Sequence, residues 1–326
     1  MKAALLVAPG RVIVDEIPDP DPGPGEVRIA VGGVGLCGSD LSVFSGRWRA
    51  PSTPWVMGHE AFGTIDAVGE GVAADRVGQQ VVVEPNITCG ACDACRRGWS
   101  SACLHRQSIG MNRQGALAER LVLPERFAWP ASGSPPDLVC VEPATVVRAA
   151  LRRAGFIAPE VFVVGAGAQG LLMTQALLER GARVTITDTN AARVRFARHI
   201  GAELDSDPDA RFGLVVDTVG SPRSLEAAFQ RLEIGGMILV LGLDDRPWGL
   251  TAQMLVRRQA RLLGSLTYDH PADFEATLGL MEQGKLSPGT VITEEFELND
   301  VQAAFDRCST APGKTWIRIG GQHGNS

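Results

Sequence analysis

Residues 161–170 read Val-Phe-Val-Val-Gly-Ala-Gly-Ala-Gln-Gly, and this stretch decides the fold of the second half of the chain. Its four leading apolar residues predict a buried strand, and the apolar run from Leu171 to Arg180 predicts a helix. Between them lie Gly165, Gly167 and Gly170, in the spacing of a dinucleotide-binding turn. In such a turn the first glycine allows the bend, the second lets backbone approach a pyrophosphate, and the third lets helix and strand pack closely.

The residues around this turn predict how a dinucleotide would bind. Ala168 and Gln169 lie in this turn as candidate cofactor-binding residues, and the N-terminal N–H groups of the helix that follows would hold the phosphates. Asp188 follows the next predicted strand, where a carboxylate binds the ribose diol and repels a 2′-phosphate, so NAD is favoured over NADP. Arg193 is placed to lie against the adenine, or is a solvated helix arginine. The alternative for the whole motif is a tight turn without a ligand.

The pattern of predicted secondary structure changes near residue 146. Before that point, short apolar runs separated by Gly and Pro predict many short strands. After it, strands and helices alternate, which predicts an α/β fold with a doubly wound parallel sheet. Further elements are predicted as strands at 214–216, 237–241 and 261–263 and as helices at 145–154, 191–200 and 273–283. The last residues, 320–326, are predicted to be disordered.

Composition narrows the classes of function. The chain has 326 residues, 45% of them hydrophobic, and a formal net charge of −6. No apolar run reaches the length of a membrane span, so we expect no membrane partner. The acidic balance also argues against a nucleic-acid partner. The opening ten residues predict a strand and a turn rather than a signal peptide, and seven cysteines without such a signal favour a reducing, cytoplasmic location.

Four of the cysteines fall within fifteen residues. Cys89, Cys92 and Cys95 are evenly spaced and Cys103 follows, a pattern that predicts a structural zinc site with four thiolate ligands. The alternative is a set of free buried cysteines or a disulfide pair. A site closed by four sulfurs leaves no position for substrate, so its role would be structural.

A second set of metal-ligand types is scattered along the chain. Cys37, His59, Glu60 and Glu142 offer a thiolate, an imidazole and carboxylates, the donors of a catalytic zinc site with an open position. Each residue taken alone is more often structural: a small core thiol, or a hydrogen-bonded histidine.

Together these motifs resemble the zinc-containing medium-chain alcohol and polyol dehydrogenases, especially the sorbitol and threonine dehydrogenase branch. The resemblance runs over about residues 1–319. It is carried by Cys37-Gly-Ser-Asp40, Gly58-His-Glu60, the four-cysteine stretch, Gly115-Ala-Leu-Ala-Glu119, Glu142-Pro143, the glycine turn and Asp188.

The resemblance implies a β-rich GroES-like catalytic domain at 1–145 with a structural zinc lobe at about 86–105. It implies a Rossmann NAD-binding domain at 146–267 and a segment, 268–326, that returns to the catalytic domain. The cofactors would be NAD, bound in the cleft between the domains, and two zinc ions per chain, one catalytic and one structural. Relatives are commonly homodimers or homotetramers that pair the edges of their nucleotide-binding sheets.

The resemblance also implies roles for single residues. Cys37, His59, Glu60 and Glu142 match the ligand positions of the catalytic zinc, with Glu60 binding directly or from behind the ligands. Ser39 matches the hydroxyl that accepts the alcohol proton, its alternative being a local cap. Many relatives carry His at the position of Ser42, which leaves the proton's exit open.

The substrate is the least determined feature. Phe44, Trp48, Met111 and Tyr268 are candidate pocket walls, and the first two lie in a short stretch similar to aminocyclitol dehydrogenases. The expected reaction is oxidation of a secondary alcohol of a polyol, cyclitol, aminocyclitol or sugar-like molecule to a ketone, reversibly. The alternatives are an NADP-linked ketone reductase of the same fold and a non-catalytic, zinc-stabilised dinucleotide-binding regulatory module. A nucleic-acid-binding zinc ribbon is opposed by the acidic charge.

Overall fold

A computed structural model describes residues 1–320. The chain divides into two compact units. The first combines Met1–Glu142 with the segment that starts at Asp269, and the second is Pro143–Tyr268. The predicted disorder at 320–326 falls, except for Gly320, outside the described residues.

The elements follow in chain order. The strands are β1 (Lys2–Ala8), β2 (Arg11–Glu16), β3 (Glu26–Gly35), β4 (Trp55–Val56), β5 (Glu60–Val68), β6 (Gln80–Val83), β7 (Asn86–Ile87), β8 (Gln107–Ser108), β9 (Arg120–Pro124), β10 (Ala128–Pro130), β11 (Glu160–Val164), β12 (Arg183–Thr187), β13 (Glu203–Leu204), β14 (Phe212–Asp217), β15 (Leu232–Val240), β16 (Arg261–Gly264), β17 (Ile292–Glu297) and β18 (Lys314–Arg318). The helices are α1 (Gly38–Phe44), α2 (Asp93–Arg96), α3 (Pro135–Leu138), α4 (Val141–Ala154), α5 (Ala168–Leu178), α6 (Ala191–His199), α7 (Pro222–Gln230), α8 (Ala252–Arg258), α9 (Ala272–Glu282) and α10 (Val301–Cys308).

The first unit is built on β-sheets. Its largest sheet has the order β10-β6-β5-β3-β18-β17, with β9 also paired to β3, and a smaller sheet has the order β2-β1-β4. Along β3, Val27, Ile29 and Val31 are buried and alternate with less buried residues, as expected for a strand with one face in the core. The C-terminal strand β18 pairs antiparallel with β3 and parallel with β17, so the end of the chain completes the sheet that the beginning starts.

The second unit contains a six-stranded parallel sheet of order β13-β12-β11-β14-β15-β16. Numbered along this unit, that order is 3-2-1-4-5-6, the order of a Rossmann sheet. The central strands β11 and β14 are buried and mainly apolar apart from Asp217 at the end of β14, because helical crossovers cover a parallel sheet. The predicted fold class, a Rossmann sheet together with a β-rich GroES-like domain, is confirmed.

Two helix starts and one short strand illustrate how the structure differs from the sequence-based expectation. Helix α5 begins at Ala168 rather than Leu171, because Gly167 caps it and the first turn carries no apolar periodicity. Helix α4 begins at Val141 rather than Thr145. The short strand β13 has two exposed residues and so gave no apolar signal. Across residues 1–320, no helix combines the length and apolarity needed to cross a bilayer.

Candidate active site and metal sites

Helix α1 organises the first group of polar side chains. Cys37 is its N-cap residue, and Asp40 lies fully buried in its first turn. The Asp40 carboxylate accepts the backbone N–H groups of Cys37 at 3.0 Å and Gly58 at 3.1 Å, and it faces Nδ1 of His59 at 3.3 Å. One carboxylate therefore fixes the start of the helix and the imidazole, which leaves Nε2 of His59 for a ligand.

The same helix start forms a candidate metal site. Ligand atoms of Cys37, His59 and Glu60 all lie within 4.8 Å of one another. A thiolate, an imidazole and a carboxylate form a donor set suited to zinc, and three protein ligands leave a tetrahedral position open. The residues present therefore fit a catalytic metal.

Charge couples His59 to Asp40. Burial by itself would lower the pKa of His59, but the Asp40 carboxylate outweighs it and holds that pKa well above its usual value. Burial would likewise raise the pKa of Asp40, and the attraction of His59 holds it below its usual value instead. A ligating imidazole must be neutral, so metal binding at His59 competes with this proton.

A buried lysine contacts Glu60 of the candidate metal site. Lys314 and Glu60 form an ion pair whose side chains are each 1% exposed, and Nζ of Lys314 also donates to the carbonyl of Leu36 at 3.0 Å. A Cβ on Gly35 would lie 2.4 Å from Oε2 of Glu60 and 2.8 Å from Cε of Lys314. The pair therefore occupies space that only glycine leaves open at this position of β3.

The four cysteines converge on a second point. Their sulfur atoms all lie within 4.8 Å of one another. The sulfur of Cys89 lies 3.5 Å from that of Cys103 and 4.0 Å from that of Cys95, and Cys95 lies 3.5 Å from Cys92. A tetrahedron with Zn–S bonds of about 2.3 Å has sulfur–sulfur distances of about 3.8 Å, so the spacing fits zinc.

Backbone groups support the thiolate form in this lobe. The N–H groups of Ala91 and Cys92 donate to the sulfur of Cys89 at 3.4 and 3.3 Å. A backbone N–H, that of Cys95, is the main group that lowers the pKa of Cys92, to about 6. Thiolates are the form that binds metal, so these bonds favour that form at Cys89 and Cys92, whereas burial raises the pKa of Cys95.

The glycine turn in the second unit has the shape that its sequence predicts. Gly165 has φ +98°, and a Cβ there would lie 2.5 Å from Oγ1 of Thr218; a Cβ on Gly170 would lie 1.8 Å from the carbonyl oxygen of Gly165. Above Gly167, by contrast, the nearest described atom is Nη1 of Arg193, 3.9 Å from a Cβ position. The first and third glycines are therefore required by packing, while the second borders space that a pyrophosphate fits.

Asp188 joins the turn to the next helix. Its Oδ2 accepts the N–H of Ala166 at 2.8 Å, and its Oδ1 accepts the N–H of Asn190 at 2.7 Å. Asn190 in turn caps α6 through the N–H of Ala192 at 2.9 Å. The carboxylate thus stands half-buried at the end of β12, the position of a ribose-binding acid.

Comparison with known proteins agrees with this geometry. Residues 23–133 match the family described as alcohol dehydrogenase GroES-like domain, and residues 168–283 match the zinc-binding dehydrogenase family. An L-threonine 3-dehydrogenase of Saccharopolyspora erythraea is 31% identical over 321 residues, covering 92% of each chain. The chain belongs to the zinc-type medium-chain alcohol and polyol dehydrogenases.

Two further relatives of this dehydrogenase share nearly its whole length. The L-galactonate-5-dehydrogenase of Escherichia coli K12 is 30% identical over 312 residues and 90% of each chain is covered. A solved structure from Escherichia coli CFT073, described as a short chain alcohol dehydrogenase complexed with NADH, superposes with a TM-score of 0.89 at 27% identity, covering 98% of this chain and 99% of its own.

The predicted proton acceptor of the dehydrogenase lies on α1. Ser39 is half-buried, and within residues 1–320 its hydroxyl has no hydrogen-bond partner, so it does not act as a local cap. Ser42, one turn later, is buried; its hydroxyl donates to the carbonyl of Gly38 at 2.9 Å and accepts from Arg47. The position where relatives carry His is thus occupied by a hydroxyl already bonded on both sides.

The predicted pocket residues belong mainly to the core in this structure. Phe44 stacks on Phe305 at 4.7 Å between ring centroids. Trp48 and Met111 are half-buried and pack against the core of the first unit, and Tyr268 is 2% exposed. Phe44, Trp48 and Met111 keep part of their surface exposed, and contact of these residues with substrate stays a prediction.

Three residues of the site show where the sequence-based prediction and the structure differ. Glu142 is buried in the first turn of α4, but its carboxylate is not within the group formed by Cys37, His59 and Glu60. The sequence predicts no role for Asp40, because its burial and its contact with His59 arise only in the fold. Lys314 gave no local signal beyond a lysine that opens an apolar strand.

Proposed function

We propose that this dehydrogenase uses NAD to oxidise a secondary alcohol of a polyol, cyclitol, aminocyclitol or sugar-like molecule to the ketone, reversibly. The observation that carries the proposal is the open donor group of Cys37, His59 and Glu60, with Ser39 two residues after Cys37 on α1. The names of the two curated relatives, an L-galactonate and an L-threonine dehydrogenase, support a hydroxyl-rich or secondary-alcohol substrate.

Residues of α1 and β5, together with Lys314 on β18, have separate roles in the proposed reaction. When bound, zinc supplies a Lewis acid that polarises the alcohol oxygen. Ser39 accepts the alcohol proton at its Oγ while releasing its own hydroxyl proton to solvent, and Asp40 orients the ring of His59. Lys314 balances the charge of Glu60. We propose Glu142 as a further ligand for the same metal, and two zinc ions per chain with the second in the four-cysteine lobe.

The coenzyme preference rests on Asp188. Its carboxylate is already tied to two backbone N–H groups, so it is held in place at the strand end, and its negative charge repels a 2′-phosphate. We propose Gly165, Gly167, Ala168, Gln169 and Gly170 as the pyrophosphate site and Arg193 as an adenine contact. The NADP-linked reductase remains the alternative within this fold, and the regulatory module the alternative outside catalysis.

A substrate screen with both coenzymes tests the proposal. Purified enzyme is offered polyols, aminocyclitols and simple alcohols with NAD⁺ or NADP⁺, and formation of the reduced coenzyme is followed by absorbance. We expect turnover with NAD⁺ and a polyhydroxylated secondary alcohol. Preference for NADP⁺ would favour the reductase, and nucleotide binding without any turnover would favour the regulatory module.

A variant pair tests the catalytic assignment. Ser39→Ala should lower kcat by roughly 10²–10⁴-fold, because positioned proton transfer contributes about that much. Ser45→Ala is the matched control, since Ser45 ends the same helix and its hydroxyl bonds only to the carbonyl of Ser42 at 3.3 Å. An unchanged kcat in Ser39→Ala would remove this residue from the mechanism.

We further propose a homodimer or homotetramer joined through the edge strand β16, and a cytoplasmic location without membrane or nucleic-acid partners. The edge is supported by its apolar surroundings: Ile234 is 70% exposed, Val256 73% and Leu266 55%. The location is supported by seven free cysteines, which suit a reducing compartment.

A further inference from the structure

Two segments of the first unit are held together by side chains that the proposed reaction does not use. One is the four-cysteine lobe, residues 86–105. The other is Asp269–Pro271, here called the return segment, which starts where the chain leaves the second unit at Tyr268. Both lie in the same compact unit although about 170 residues separate them.

Ser100 and Ser101, just before the ligand Cys103, bind the return segment directly. The N–H of His270 donates to Oγ of Ser100 at 2.6 Å, and that hydroxyl donates back to the carbonyl of His270 at 3.3 Å. The N–H of Ser101 donates to the carboxylate of Asp269 at 2.9 Å. Three hydrogen bonds thus link two consecutive residues on each side.

A buried glutamate just before the lobe binds the imidazole ring of His270. Glu84 precedes the lobe and is completely buried, and its Oε2 lies 2.8 Å from Nδ1 of His270. The same oxygen accepts the indole N–H of Trp129 at 2.7 Å, and the imidazole packs on Phe127 with ring centroids 4.6 Å apart. The ring has an exposed side-chain fraction of only 17%, so it is fixed on several sides.

The return segment is continuous with a helix. Asp273 in the first turn of α9 accepts the N–H of Asp269 at 2.8 Å, so a shift of the segment would disturb the start of this helix. The lobe side is equally constrained. The N–H of Cys89 donates to the sulfur of Cys103 at 3.5 Å, so the sulfurs and the Ser100–Ser101 turn belong to one short stretch of structure.

We propose that the lobe metal and the return segment are energetically coupled: a metal held by the four cysteines fixes the segment and the start of α9, and the segment slows the loss of that metal. The coupling must act in both directions, because each site favours the same arrangement of Ser100 and Ser101. The inference rests on the proposed structural zinc, and a metal count separates failure of that premise from failure of the coupling.

The first test measures metal release. A chromophoric chelator is added to purified enzyme, and the slow phase that belongs to the lobe is identified by its absence from a Cys89→Ser variant. Ser100→Ala should speed this phase about tenfold, equivalent to roughly 1.4 kcal/mol, because it removes two of the three hydrogen bonds. Ser100→Thr keeps the hydroxyl and should restore the wild-type rate.

Ser134→Ala is the matched control. Ser134 caps α3 by accepting the N–H of Asp137, so this variant also loses a hydroxyl that bonds to backbone, but at a different place. It should release the lobe metal at the wild-type rate. A general loss of stability would change both variants alike, and lobe-metal release at the wild-type rate in Ser100→Ala would overturn the proposal.

The second test follows the converse direction. Hydrogen exchange of the Ser101 and His270 amides is compared between enzyme with two metals and enzyme stripped of the lobe metal. We expect exchange to quicken at these amides and at the start of α9, while amides of the parallel sheet in the second unit stay unchanged. Equal protection of the Ser101 and His270 amides in both forms would overturn the coupling, and a count of one metal from the outset would instead overturn the proposed second zinc.

Discussion

At the scale of single residues, Lys314 supplies the positive charge that balances the buried carboxylate of Glu60. Its ammonium is buried against Glu60 and beside the metal group. In metal-free protein, Lys314→Met should lower the free energy of unfolding by about 3–5 kcal/mol, because it leaves the buried carboxylate of Glu60 without a counter-charge. Urea unfolding measures the loss, and Lys285→Met, at a lysine whose side chain bonds to Gln283 on the surface, should change it little.

Asp188 decides the coenzyme at the same scale. Replacing it with Asn removes the charge and keeps one of the two acceptor oxygens, so either the N–H of Ala166 or that of Asn190 loses its bond. The ratio of kcat/KM with NADP⁺ to that with NAD⁺ should rise roughly tenfold or more, since close like charges cost more than 1 kcal/mol. A ratio that stays at the wild-type value would show that another group selects the coenzyme.

Glu84 gives the protein a pH-dependent contribution to stability. Burial raises the pKa of this carboxyl despite the attraction of His270. A carboxyl with a higher pKa in the folded state contributes stability at low pH, which is lost as the pH rises through that pKa. Between about pH 5 and pH 8, wild type should therefore lose more stability than Glu84→Gln, measured by urea unfolding.

The control for this prediction is Glu70→Gln, at an exposed glutamate on a turn. It should follow the wild-type pH dependence. If Glu84→Gln also follows it, the buried carboxyl does not titrate differently in the folded and unfolded states.

At the scale of elements, β16 is the edge strand that we propose as the interface between subunits. It ends the parallel sheet and pairs only with β15 among the described strands, and Leu262 on it is 41% exposed. Leu262→Lys should shift the mass in solution toward the monomer, because a charge on an edge strand blocks edge pairing. Light scattering after gel filtration measures this.

Leu104→Lys provides the comparison, since Leu104 on the cysteine lobe is 89% exposed. It should leave the mass unchanged. A Leu262→Lys protein with wild-type mass would place the interface elsewhere or leave the chain a monomer.

Local patterns explain which elements could be predicted. The glycine turn, the strands beside it and the cysteine spacing are each encoded within about fifteen residues, and their geometry followed. The side chains that pair with Glu60 and Glu84 could not be predicted from such local patterns. Lys314 reaches the carbonyl of Leu36 across 278 residues, and His270 reaches Glu84 across 186, so only the folded sheet order brings them together.

The pocket candidates show a different limit. Their side-chain types fit the chemistry, and Phe44, Trp48 and Met111 also pack, half-buried, against the core of the first unit. Apolar residues near a predicted site serve packing and substrate contact equally well in sequence. Only burial distinguishes the two uses.

At the scale of the whole molecule, metal content is the sharpest prediction. Elemental analysis should find two zinc ions per chain. Cys92→Ser should lose the lobe ion and His59→Asn the other, since each removes one ligand of a separate donor group. Cys308→Ser, a cysteine outside both groups, should retain two. One ion in the wild-type protein would exclude one of the two proposed sites.

The position of β18 beside β3 has a consequence for synthesis on the ribosome. Strand β3 is made early, but its neighbour in the sheet and the lysine that balances Glu60 arrive only with residues 314–318. The second unit is complete in sequence before either appears. Nascent chains therefore carry an unfinished sheet edge and an uncompensated carboxylate until residues 314–318 have been made, and chaperone capture should be strongest in that interval.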